Sequence, residues 1–429
     1  MTPPPGLSTI VAGLMPLASE IFDGVRSASR DVDGVTRPAW SKQDQAAADI
    51  LLAAARGEGL RTRRDAVGNI YMDLPGRDES APGILSGSHL DSVARGGNFD
   101  GLAGAVAGLI AVAAVRRAGM TPLRSLSAMG IRGEESVWYG IAYIGARLAV
   151  GGMGRAEFDA LARLDTDRPL ADHMADLGLP TDDIWRGEAS IGPHNTKAFL
   201  ELHIEQGPLL VEQSTPLAVA TAIRGNLRHG DGVCHGAYQH SAATPRRSRQ
   251  DAVLAVTELL HGLEQFWHRV EDQSDPSAVF TVGKLFTDPD HHALTKVPGE
   301  CHFSLNFGST EQGTLDRAAA EIAALTSAIA QRRNVRFTLG DAVGSSPTPL
   351  DAELRKQLAG NAARLAIPCG EFATAGHDAS IIARAGIPAA VLLVRNADGS
   401  HNANEKMAME DFEHGVQVLA ATMADLADA

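Results

Sequence analysis

The chain has 429 residues, 44% of them apolar, with 52 acidic residues against 38 basic ones and a formal net charge of −14. That length exceeds one ordinary core and predicts two domains. The acidic balance argues against a nucleic-acid partner, because no basic stripe exists to displace counterions.

The opening "MTPPPGLSTIVAGLMPL" lacks the basic stretch and cleavage site of a secretory leader. The later run "LAGAVAGLIAVAAV" falls short of the roughly 20 residues that span a bilayer. Cys234, Cys301 and Cys369 are odd in number and widely spaced, which suits free thiols in a reducing compartment. Together these features predict a cytoplasmic protein without a membrane partner.

"QDQAAADILLAAARGEGL" predicts an Ala-rich helix stopped by glycine, and "GNIYMDLPG" a short strand. The strand-like "PGILSGSHLDS" is followed by the helix-like "GLAGAVAGLIAVAAVRRAG", then by the strand-like "RSLSAMGIRGEES" and "KAFLELHIEQGPLL". This alternation implies a doubly wound α/β sheet. From about Leu217 to Gln331 the pattern changes to two long amphipathic helices and the strands "SAVFTVGKLF" and "GECHFSLNF", which predicts an inserted α+β domain. The α/β pattern resumes with "IPAAVLLVRNADGSHNANEK". The boundaries so read are 1–216, 217–331 and 332–429. The short basic runs "RTRR" and "RRSR" read as solvated faces.

Four apolar strands end in residues of metal-ligand type: His89 and Asp91, Glu134 and Glu135, His203 and Glu205, and His401. "GGNFDG" adds Asp100 on a glycine-rich loop ahead of a helix. Taken singly, each is an ordinary surface pair or solvated face. Taken together they converge, because sites in open α/β sheets form beyond the carboxyl ends of the strands. Imidazole and carboxylate without thiolate suit Zn, Mn, Co or Ni, and the donors suffice for two ions sharing a bridging carboxylate.

The stretches "RRDAVGNIYMDLPG", "GSHLDSVARGGNFDG", "RGEESVWYG", "ELHIEQGP", "HSAATPRRSRQDA", "AGHDAS" and "GSHNANE" resemble, in order, the dinuclear-metal amidohydrolases of the peptidase M20 type. The likeness is to the hydantoinase/carbamoylase branch, which includes N-carbamoyl-L-amino acid hydrolases, β-ureidopropionases and allantoate amidohydrolases. It implies a metal-binding catalytic domain with a mixed sheet flanked by helices, and an inserted domain that serves as lid and dimerisation module. It also implies two divalent ions held by His89, Asp100, Glu135, His203 and His401, with Asp100 bridging. Glu134 would be the general base, Asp91 would orient His89, and His240 would reach the partner subunit's site in a homodimer to hold the oxyanion. Gln206 and His377 match positions near the substrate. The implied reaction is hydrolysis of a linear ureido or amide C–N bond in a small molecule by a hydroxide shared between the ions. The alternatives are an M20 aminoacylase or dipeptidase, and a metal-poor binding protein of the same fold.

The chain departs from this branch at the residues that hold a substrate carboxylate. Thr295, Asn306 and Gly308 stand where the branch has Asn, Asp and Arg. Thr and Gly cannot form a bidentate clamp, so the replacements expected from sequence are Arg395 with Asn396, and Arg228 or Arg224. Trp138 in "EESVWYG" reads equally as core packing or a substrate wall.

Overall fold

A computed structural model describes residues 6–186 and 189–428. The chain divides into two compact units, one formed by 1–221 with 350–429 and the other by 222–349.

The first unit is built on strands β1 (Arg61–Arg64), β2 (Ile70–Leu74), β3 (Gly83–His89), β4 (Leu126–Ile131), β5 (Thr196–Ile204), β6 (Leu217–Ile223) and β7 (Ala389–Val394). They lie side by side in the order β1-β2-β4-β3-β5-β7-β6. The central four, β4, β3, β5 and β7, are parallel. The flanking β1, β2 and β6 are antiparallel to their neighbours, so the sheet is mixed. Parallel strands need cover on both faces, and β7 is buried along its whole length, "AAVLLV". Helix α3 (Leu102–Arg117) provides part of that cover, with every residue from Leu102 to Val115 buried.

Helices α1 (Leu7–Ser29), α2 (Lys42–Gly57) and α4 (Met409–Ala427) pack with α3 in the same core. By length and hydropathy α1 could cross a membrane. Instead Leu7, Val11, Leu14, Ala18, Ile21 and Val25 form a buried stripe at three- and four-residue spacing, as on a helix packed to a core.

The chain passes from β3 through α3 to β4 on one side of β3, then crosses to β5 on its other side. Such a reversal opens a crevice at the carboxyl ends of the strands. Just beyond β4, Arg132 is wholly buried. It bonds Asp44 of α2 at 2.6 Å, Gln45 at 2.8 Å and the carbonyl of Gly68 at 2.7 Å. Pairing with hydrogen bonds is what makes such a burial tolerable, and it anchors the turn that begins two residues later.

In the second unit the strands Gly225–His235 and Glu300–Ser309 pair antiparallel, and helices Ala252–Gln273 and Gln312–Arg333 share a core with Cys301, Phe303, Leu305 and Phe307. Cys234 and Cys301 face each other across the strands as free thiols. "SAVFTVGKLF" forms two short strands, Val279–Thr281 and Leu285–Phe286, rather than one. The boundaries also fall later than the sequence pattern suggests. Leu217, Ala218 and Val219 pair with β7 in the first unit. Arg336–Thr338 and Val343–Ser345 pair with Gly225–His235, which carries the second unit on to residue 349.

Candidate metal centre

All five side chains expected to bind metal meet at the carboxyl end of the parallel strands. His89 is the last residue of β3, His203 the penultimate residue of β5, Glu135 follows β4 and His401 follows β7. Asp100 enters on the loop before α3 and stands between them. Its Oδ1 lies 3.5 Å from His89 Nε2 and 3.2 Å from His203 Nε2. Its Oδ2 lies 3.2 Å from His401 Nε2, which is 3.4 Å from Glu135 Oε1. The ligand-type atoms of His89, Asp100 and His203 gather within 4.8 Å of one another, as do those of Asp100, Glu135 and His401 and those of Glu201, His203 and His377.

The ring tautomers argue for cations here. His89 Nδ1 is 3.0 Å from the carbonyl of Asp91 and His203 Nδ1 is 2.9 Å from that of Ile204. Each Nδ1 therefore carries the proton and donates, which leaves a lone pair on Nε2. Those two lone pairs face Asp100 Oδ1, a buried atom with no hydrogen-bond partner. Acceptors facing acceptors repel unless a positive charge lies among them. The 3.2–3.5 Å separations also match the edge of a tetrahedron with metal–ligand arms near 2.0–2.1 Å, about 3.3 Å.

The pKa directions express the same demand for positive charge. Burial opposes a charge on Asp100, but the imidazoles of His203, His401 and His89 gathered against it outweigh burial and hold its carboxyl well below the usual range. His401 is raised to about 9, chiefly by its bond to Asp100. Burial pushes Glu135 up to about 7. Burial also raises Glu134 well above the usual carboxylate range; His89 opposes that rise, while Glu135, Asp378 and Asp91 reinforce it.

Asp91 has a different task from the one expected. Its backbone carbonyl, not its carboxylate, bonds His89; the carboxylate stays 3.7 Å from Nδ1. The two carboxylate oxygens instead accept the backbone amides of Glu134 and Glu135, each at 3.1 Å. One wholly buried side chain thus fixes both glutamates. Gly101 completes the His89 site. At φ 65°, a Cβ here would sit 2.3 Å from the imidazole.

The residues expected near the substrate make the following contacts. One guanidinium edge of Arg395, Nε with Nη2, bonds both carboxylate oxygens of Asp411, at 2.8 and 2.9 Å. Asn396 is 1% exposed; it accepts the amide of Gln206 and donates to the carbonyl of Gly399. Gln206 turns its side-chain amide onto Asp100 Oδ2 at 3.0 Å. His377 is buried behind His203, with ring centres 4.2 Å apart, and bonds Thr374. Glu205 accepts the amides of Leu209 and Leu210, capping a short helix rather than joining the cluster. Trp138 donates to the carbonyl of Ser92 within the core. In the second unit, Arg228 bonds Asn306, Arg224 bonds the carbonyl of Ser277, and His240 Nδ1 accepts the amides of Ala242 and Ala243.

Two supporting residues escaped the sequence reading. Glu201 is buried beneath the centre and accepts from Ser88 and from the amide of Ala379. Glu405 accepts the amides of Phe99 and Asp100 and lies 2.8 Å from Ser400 Oγ, itself 2.6 Å from Asp100 Oδ2. The available signal for Glu201 was its place two residues before His203 on one face of β5. For Glu405 it was the end of the "GSHNANE" stretch.

Residues 85–425 match the model of peptidase family M20/M25/M40. The chain belongs to this family. Within the family's range of activities, it is 31% identical to the N-carbamoyl-L-amino acid amidohydrolase of Geobacillus stearothermophilus over 92% of this chain and 94% of that protein. It is 28% identical to the allantoate amidohydrolase of Escherichia coli, over 92% and 93% of the two chains. Among solved structures, a hydantoinase/carbamoylase family amidase from Burkholderia multivorans superposes with a TM-score of 0.87 at 24% identity, covering 97% of this chain and 98% of that one.

Proposed function

We propose that this protein hydrolyses the C–N bond of a linear ureido (N-carbamoyl) or amide group in a small molecule at a two-ion centre. The observation that carries the reading is Asp100, whose two carboxylate oxygens each face a separate pair of ligands. The relatives named above support the ureido class. The imidazole and carboxylate donors suit Zn, Mn, Co or Ni. When bound, such ions would polarise a carbonyl and make water acidic enough to attack it near neutral pH.

Glu134 takes the proton of the attacking water and returns it to the leaving nitrogen. Asp91 holds that base beside the ligand Glu135 through their amides. Because His240 Nδ1 accepts two amides, its proton sits on Nε2. It can then donate to a developing oxyanion, and in a homodimer formed through the second unit it would act in the partner's site. The free cysteines suit a cytoplasmic enzyme. A carbamoyl substrate plus water yields ammonia, carbon dioxide and an amine.

The test is a panel of N-carbamoyl, other ureido, N-acyl and dipeptide compounds assayed on metal-reconstituted protein for ammonia and amine release. Ammonia from the ureido compounds is the expected result. Turnover confined to acyl or dipeptide compounds would overturn the ureido reading in favour of an aminoacylase or dipeptidase.

A further inference from the structure

His401 differs from the other ligands in how it is held. It stands at φ 57°, in the left-handed region unusual for a residue with a side chain. That side chain is 52% exposed, whereas those of His89 and His203 are 3% and 1% exposed. It rides on a loop whose feet are a short antiparallel ribbon, Asn396 against Met407 and Ala397 against Lys406. The loop between these feet also carries Ser400 and Glu405, both in contact with Asp100.

Arg395 immediately precedes the first foot. Asp411, 4% exposed, follows the second in the opening turn of α4. Their bidentate pair closes the base of the loop from outside, and α4 is packed into the core of the first unit. Inside the base, Asn396 joins the same strand end to Gln206 and Gly399. The route from α4 to the centre is therefore short: Asp411 to Arg395, along one peptide to Asn396, then to Gln206 and Gly399, and from these to Asp100 and His401.

We propose that Arg395, through Asp411, is a positioning residue that sets affinity for the ion held by Glu135 and His401, without setting affinity for the ion held by His89 and His203. This rests on the two-ion reading above. His89 and His203 are held by adjacent parallel strands and by carbonyls of their own segments, none of which involves the loop. A Lys at 395 could not reproduce the fork, because a single ammonium cannot meet both oxygens in one plane.

The experiment is a titration of the apoprotein with Co(II), followed by visible absorption and by equilibrium dialysis, for the unaltered chain and for Arg395→Met, Asp411→Asn and the double variant. The Met side chain keeps the apolar stem. The unaltered chain should bind two ions. Each single variant should bind the first ion within about twofold of normal and the second about tenfold more weakly, the lower end of what losing such a supporting contact costs. The double variant should weaken the second site no further than either single one, since both remove one interaction. Equal weakening of both ions, no weakening of either, or additive losses in the double variant would overturn the proposal. If Arg395→Met does not fold, Asp411→Asn alone decides, because it preserves size and breaks the same pair. An unaltered chain that binds no Co(II) would overturn the two-ion reading itself, a distinct outcome.

Discussion

The two halves of the ligand cluster are built by different means. The His89–His203 half stands on neighbouring strands of a buried parallel sheet, and each imidazole is oriented by a carbonyl within two residues of it. The Glu135–His401 half stands on two turns beyond the sheet, held by side-chain contacts: Asp91 for one ligand, and Arg395, Asn396 and Glu405 around the loop of the other. Backbone geometry gives a stiff site for the cost of folding the sheet. Loop geometry gives an adjustable site whose quality depends on a handful of polar side chains.

The largest effect should come from Asp100→Asn, which removes the charge both halves share. Metal analysis should find neither ion retained at stoichiometric levels, and activity should fall beyond the roughly 10²–10⁴-fold typical of losing a general base. Retention of the His89–His203 ion alone would show that this half does not need the bridge. Next, Glu134→Gln should lower kcat by roughly 10²–10⁴-fold while both ions stay bound. A matching loss of metal would mean that Glu134 is a ligand rather than a proton carrier. Limited treatment with a chelator should strip the ion of the loop half first and leave a one-ion protein with an unchanged circular-dichroism spectrum. Simultaneous loss would contradict the asymmetry. The smallest effect should be that of Gly101→Ala, whose new Cβ would press on His89. It should cost about 1–3 kcal/mol of stability, read by denaturant unfolding, and weaken the ion of the strand half before that of the loop half.

The same division explains what the sequence could and could not reveal. The strand half was legible because an apolar run ending in His-x-Asp or His-x-Glu marks both a strand and its carboxyl end. The parallel arrangement followed from the helix between β3 and β4. The loop half was legible as ligand-type residues beyond strand ends, Glu135 and His401, with their separate roles implied only by family resemblance. Its supports were not legible, because Arg395 and Asn396 look identical in sequence whether they face a substrate or close a loop. Asp411, the partner that decides the matter, lies 16 residues on from Arg395, across the loop. The contacts of His377 and Glu205 were hidden for a related reason. A polar residue beside a ligand is as often a cap or a buried partner, and only tertiary distances separate these. The second unit runs on to residue 349 through three-residue strands after Arg333 that are too short to leave a periodic signal.

The single hook that Asp91 offers to two consecutive amides has an implication for how this scaffold diversifies. In the proposed reaction, proton acceptor and cation holder hang from one peg, so their mutual reach is settled before any reactant arrives. On that reading, recognition elements elsewhere can change without the bond-breaking apparatus being rebuilt.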